Sequence, residues 1–134
     1  MKAHIAWSIL VIAALASAGA AAAELKDEMK IQVETAELHA GMAPGTFVCA
    51  EGHFHIKGTV QNLAAVPVGQ VKVSGKVYDA EGKLLGTATT STRQAVLNPN
   101  DKAPINLEFL KVTGPLIEQV KRQELEVVAV GPKS

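Results

Sequence analysis

Cys49, Glu51, His53 and His55 are the residues of this chain whose types and spacing could do chemistry. They alternate along the chain, so an extended strand would place all four side chains on one face. A His-x-His pair on a strand offers two imidazoles to a metal ion, and a thiolate beside imidazoles suits copper or zinc. This cluster is therefore a candidate metal site.

The spacing of a straight strand argues against that site. Alternate residues lie roughly 6.5–7 Å apart, so Cys49 would be about 13 Å from His53, too far for one ion to bridge. A bend at Gly52 would bring the thiolate back, and His39 and Met42 could fold over from the preceding loop. We expect the histidines to be ordinary surface residues, with the metal site as the alternative.

Cys49 is the single cysteine, so it cannot form an internal disulfide. It follows Phe47 and Val48, and a buried, inert thiol is the commonest state of such a residue. Pairing between two chains is a second interpretation, and action as a nucleophile is the least favoured. The sequence has no nucleophile elbow and no phosphate loop, so we expect a non-catalytic protein without a cofactor.

The elements that would position these side chains are strands. Apolar and polar residues alternate with period two over residues 54–61, 71–77, 105–110 and 125–129, which indicates half-buried strands. The side chains predicted to face the core are Ile56, Val60, Val73, Val77, Leu107, Phe109 and Val127. Those predicted to face water are Lys57, Lys72, Lys76 and Glu108.

Weaker patterns complete the fold. Residues 29–38 predict a first strand, with an acidic helix as the alternative, and the Thr-rich residues 84–92 predict a strand at a sheet edge. Residues 116–122 fit one helical turn, with Ile117 and Val120 facing inward. Turn residues separate the strands, and no strand is followed by a helix long enough for a parallel crossover. The sequence therefore predicts an all-β antiparallel sandwich of six to seven strands.

The N-terminal segment predicts export. Lys2 is followed by an apolar stretch over residues 5–16, and small residues then continue to Ala23. This pattern is typical of a signal peptide over residues 1–23, cleaved after Ala23 or, as a second choice, after Ala20; an uncleaved anchor is the alternative. We expect one mature domain over residues 24–134, periplasmic or secreted and not inserted in the membrane.

The order of several short segments resembles the FxLYD domain, an immunoglobulin-like module of bacteria and archaea. These segments are residues 58–62, 77–79, 82–83, 97–99 and 105–107, within a likeness covering 54–130. Gly75 and Val77 stand where the family has Phe and Leu, whereas Tyr78 and Asp79 match. The resemblance implies a two-sheet fold, exported or cell-surface placement and no established catalytic residues.

These observations predict an exported binding module of the periplasm whose partner is another envelope protein. For the Thr-rich edge strand at residues 87–92 we favour an ordinary solvated edge guarded by Lys83 and Arg93, with strand addition by a partner as the alternative. Without a basic surplus, nucleic acid is a poor candidate partner. The alternative is a small periplasmic copper- or zinc-binding protein that uses His53 and His55, joined by Cys49 if the chain bends at Gly52.

Overall fold

The computed structural model describes residues 25–133, so the predicted signal peptide and its cleavage sites after Ala20 and Ala23 lie outside the described residues. Among the described residues, no helix has the length and apolarity needed to cross a membrane. The elements, numbered in chain order, are β1 (Met29–Val33), β2 (Thr46–Val48), β3 (His53–Asn62), β4 (Val71–Tyr78), β5 (Leu84–Ser91), β6 (Lys102–Thr113), α1 (Pro115–Gln119) and β7 (Arg122–Val130).

The seven strands form two antiparallel sheets. In the first, β1 and β2 lie along one edge of β3 and β6 lies along the other; in the second, β4 lies between β5 and β7. Strands β3 and β6 thus occupy the B and E positions of an immunoglobulin-like sandwich, and β4 and β7 occupy its C and F positions. The prediction of an all-β, immunoglobulin-like sandwich is confirmed.

The core forms where the apolar faces of the two sheets meet, as the alternation requires. In β4, Val71, Val73 and Val77 are fully buried, whereas Lys72 and Lys76 are exposed. The predicted inward residues of β3 and β6 are also buried, namely Ile56, Val60, Leu107 and Phe109. Lys57 and Glu108, on the outer faces of these strands, are exposed. Val127 is only partly buried, because β7 is an edge strand of its sheet.

Several boundaries differ from those predicted. Strand β1 ends at Val33 instead of continuing to residue 38, and the three-residue strand β2 carries no pattern that predicts it. The expected helical turn is α1, and Ile117 and Val120 pack against the core from its side. The Tyr78 hydroxyl, at the end of β4, donates to Glu124 of β7 at 2.9 Å.

Gly75 faces strand β6 of the opposite sheet, and a side chain at this position would have to displace Leu107. A Cβ atom at this position would be 2.8 Å from Cδ1 of Leu107 and 3.2 Å from Cζ of Phe109. Strand β6 of the opposite sheet therefore fills the space that a Phe would need. This close packing favours a glycine at this position.

Candidate metal centre

The candidate site is built on the turn that joins β2 to β3. The amide of Cys49 donates to the carbonyl of His53 at 3.0 Å, and the amide of Gly52 donates to the carbonyl of Cys49 at 2.9 Å. Gly52 has a φ of +86°, a left-handed conformation that glycine adopts without strain. The chain therefore reverses at Gly52, and the separation of about 13 Å expected for a straight strand does not apply.

This reversal brings four potential ligands together on the outer face of the first sheet. Ligand atoms of Cys49, Glu51, His53 and Glu108 all lie within 4.8 Å of one another. Ligand atoms bound to a tetrahedral zinc ion at 2.0–2.3 Å lie about 3.3–3.8 Å apart, so side-chain movements on the order of 1 Å would close the set around an ion. The cluster contains a thiol, an imidazole and two carboxyl groups.

Glu108 is the member that sequence reasoning missed. It was predicted only to face water, which it does, and it comes from β6 rather than from the hairpin. The antiparallel pairing of β3 with β6 sets Glu108 directly opposite His55. A carboxylate oxygen of Glu108 consequently lies 2.7 Å from Nδ1 of His53 and 3.7 Å from Nε2 of His55.

His55 corrects the expectation that both histidines are surface residues. Only 8% of His55 is exposed, because its ring stacks on Phe47 with the ring centroids 4.5 Å apart. Nδ1 of His55 is 2.8 Å from Oδ1 of Asn106, an oxygen that can only accept a hydrogen bond. Nε2 of the same ring is buried and has no hydrogen-bond partner among the described residues.

The remaining residues considered at the sequence level lie elsewhere or differ in burial. His39 lies on an exposed loop, Met42 packs against the core, and neither joins the cluster. Cys49 has a free thiol and is partly exposed, so the expectation that it is buried is wrong. Its position at the surface leaves it accessible to an ion.

Known proteins give distant matches to this chain. No family model matches it, and no curated protein matches it. Among solved structures, it is similar to a DUF1425 family member from Shewanella sp. pv-4, at 16% sequence identity and a TM-score of 0.44. The alignment covers 75% of this chain and 76% of that one.

Proposed function

We propose that this chain is a non-catalytic, exported binding module that holds a transition-metal ion at the β2–β3 hairpin. One observation carries the proposal, namely the convergence of the Cys49, Glu51, His53 and Glu108 ligand atoms within 4.8 Å. A thiolate with an imidazole selects zinc or copper over magnesium or calcium, which prefer oxygen ligands alone. In this proposal His53 is a metal ligand rather than an ordinary surface residue.

The exported location is part of the same proposal. It is supported by the signal-peptide pattern of residues 1–23. Membership in the FxLYD group is likewise proposed, and the two-sheet architecture agrees with what that resemblance implies. The absence of a nucleophile elbow or phosphate loop from the sequence favours binding over catalysis.

Calorimetric titration with Zn²⁺ tests metal binding. The protein is expressed as the full chain, purified in its exported form, reduced and freed of metal. We expect one ion per chain, and at least a tenfold loss of affinity in Cys49→Ser and in His53→Gln. His39→Gln is the matched control, because it removes an imidazole outside the cluster and should leave binding unchanged. Equal affinities in all four proteins would overturn the proposal.

A second candidate function is strand addition by another envelope protein. Strand β5 pairs only with β4 among the described strands, so its other edge presents unpaired backbone groups. Leu84 on this strand is 48% exposed, and Leu110 on β6 is 63% exposed. Both line one shallow groove along β5, where an extended apolar segment would gain side-chain contacts as well as backbone hydrogen bonds.

Cross-linking from the β5 edge tests this candidate. A photoreactive residue in place of Thr87 should capture the same partner repeatedly in intact cells, and Leu84→Glu with Leu110→Glu should abolish the product. The same residue placed at Lys30, on the opposite side of the fold, is the control. Capture that survives both leucine substitutions would contradict strand addition at this groove.

A further inference from the structure

We infer that His55 is a second imidazole ligand of the hairpin site, and that the ion held there is a divalent ion of the zinc class rather than Cu(I). This inference rests on the proposed function and names the inner ligand and the kind of ion. Its starting point is Nε2 of His55, which is buried and has no hydrogen-bond partner within residues 25–133. Buried polar atoms are rarely left in that state unless another group completes them.

The neighbours of His55 hold its ring in the orientation and tautomer that a metal ligand needs. Because Oδ1 of Asn106 accepts a hydrogen bond from Nδ1, the ring proton of neutral His55 sits on Nδ1 and the lone pair remains on Nε2. Ligating histidines commonly use their other nitrogen in this way, and the partner sets the ring orientation. Phe47 holds the same ring from its face, at an interplanar angle of 19°.

Nε2 of His55 lies beside one member of the cluster, Glu108. Nε2 lies 3.7 Å from the Glu108 oxygen that also lies 2.7 Å from His53. An ion that binds Glu108 therefore comes within reach of both imidazoles after a small movement. His55 would be the innermost ligand, approached from the partly exposed side where Cys49 and His53 lie.

Charge and ligand type narrow the choice of ion. The donors would be the Cys49 thiolate, the carboxylates of Glu51 and Glu108 and the His53 imidazole, whose ligand atoms lie within 4.8 Å of one another. The His55 imidazole would join them through Nε2, which lies 3.7 Å from Glu108. Three negative ligands favour a dication over a monovalent ion, and carboxylates are poor partners for soft Cu(I). Zn²⁺ accepts sulfur, nitrogen and oxygen ligands together. Co²⁺ is a suitable spectroscopic probe, because it occupies comparable sites and absorbs visible light.

Two measurements test the inference. Titration with Co²⁺ should give a thiolate-to-metal absorption band and visible bands of a low-coordinate ion, and Zn²⁺ should displace them. His55→Gln, which can still donate to Asn106, should weaken Co²⁺ and Zn²⁺ binding at least tenfold and alter the visible bands. In wild-type protein labelled with ¹⁵N, the Nε2 resonance of His55 should move when Zn²⁺ is added, which needs no variant to fold.

Each outcome supports or overturns a stated part of the inference. An Nε2 resonance that moves, together with weaker binding in His55→Gln, supports the inference. The role of His55 is overturned if wild-type protein binds Zn²⁺ tightly without movement of that resonance. It is also overturned if a folded His55→Gln protein binds Zn²⁺ as tightly as wild type. Either result leaves the proposed function standing. Binding of Cu(I) in preference to both dications overturns the choice of ion. Failure of wild-type protein to bind any of the three ions overturns the proposed function as well.

Discussion

The side-chain nitrogen of Asn62 donates a hydrogen bond of 2.9 Å to the carbonyl oxygen of Leu97, and both residues are almost fully buried. The same nitrogen donates to the carbonyl of Val66 at 3.0 Å, and Oδ1 accepts from the amide of Ala64 at 2.8 Å. The last residue of β3 therefore ties two loops to the end of the sandwich. A buried amide with three such bonds is satisfied within the protein itself.

Asn62→Ala should lower the free energy of unfolding by about 2–4 kcal/mol, because it removes three hydrogen bonds and leaves the buried amide of Ala64 without its acceptor. Gln61→Ala is the matched control, since the bond from Gln61 to the carbonyl of Asn100 is exposed. That change should cost less than about 0.5 kcal/mol. Urea unfolding measures both values, and a similar loss in the two variants would contradict the role given to Asn62.

Phe109 is the largest fully buried side chain of the core, and its ring packs on Phe54 with centroids 5.6 Å apart. Phe109→Ala should therefore cost on the order of 3–5 kcal/mol, from lost burial and from the cavity that remains. Lys76→Ala, on the exposed face of β4, should cost less than about 0.5 kcal/mol. The reverse order in denaturant melts would mean that the inward faces are assigned wrongly.

Glu124 should titrate below the ordinary pKa of a glutamate. Hydrogen bonds from Arg122 and from the Tyr78 hydroxyl stabilise the charged form of Glu124 and lower its pKa. The same hydrogen bond to Glu124 raises the pKa of Tyr78, because it stabilises the protonated hydroxyl. Because the folded pKa of Glu124 is lowered, its contribution to stability is present above the unfolded pKa and disappears as pH falls through the folded value. The contribution of Tyr78 disappears instead as pH rises through its raised pKa.

Arg122→Gln should therefore raise the pKa of Glu124 towards the ordinary value, which NMR titration of the side-chain carboxyl measures. Lys72→Gln is the control, because Lys72 lies on β4 but is not among the groups that shift Glu124. An unchanged Glu124 pKa in Arg122→Gln would show that this ion pair does not form in solution.

Mass spectrometry of protein recovered from the periplasm should give an N-terminus at Glu24 or, as the second choice, at Ala21. These are the residues that follow the predicted cleavage sites after Ala23 and Ala20. Recovery of the intact chain from Met1 in the membrane fraction would replace the signal-peptide interpretation with that of an anchored domain.

Most of the fold could be predicted from local patterns of apolar and polar residues. Period-two alternation in β3, β4 and β6 is enough to identify the strands and their inward faces, because one face of each must be buried. The three residues of β2 offer no such pattern. Their position depends on the turn at Gly52 and on pairing with β3, both of which are properties of the assembled sheet.

The site was predictable only in part for the same reason. The shared face of Cys49, His53 and His55 can be seen from their spacing, but the approach of Glu108 depends on a register between residues that are far apart in the chain. The burial of His55 likewise depends on Phe47 of β2. Strand β2 thus covers His55, and the β3–β6 register brings Glu108 to His53, and neither contact could be predicted from local spacing.

Thermal unfolding of the reduced protein with and without Zn²⁺ tests the central claim most directly. An ion that binds only the folded state at a hundredfold excess over its Kd adds about 2.7 kcal/mol of stability, which should raise Tm by on the order of 10 °C in a domain of this size. The rise should vanish with a chelator and in a Cys49→Ser/His53→Gln double variant, but persist in His39→Gln. An unchanged Tm in wild-type protein with Zn²⁺ would contradict the metal centre.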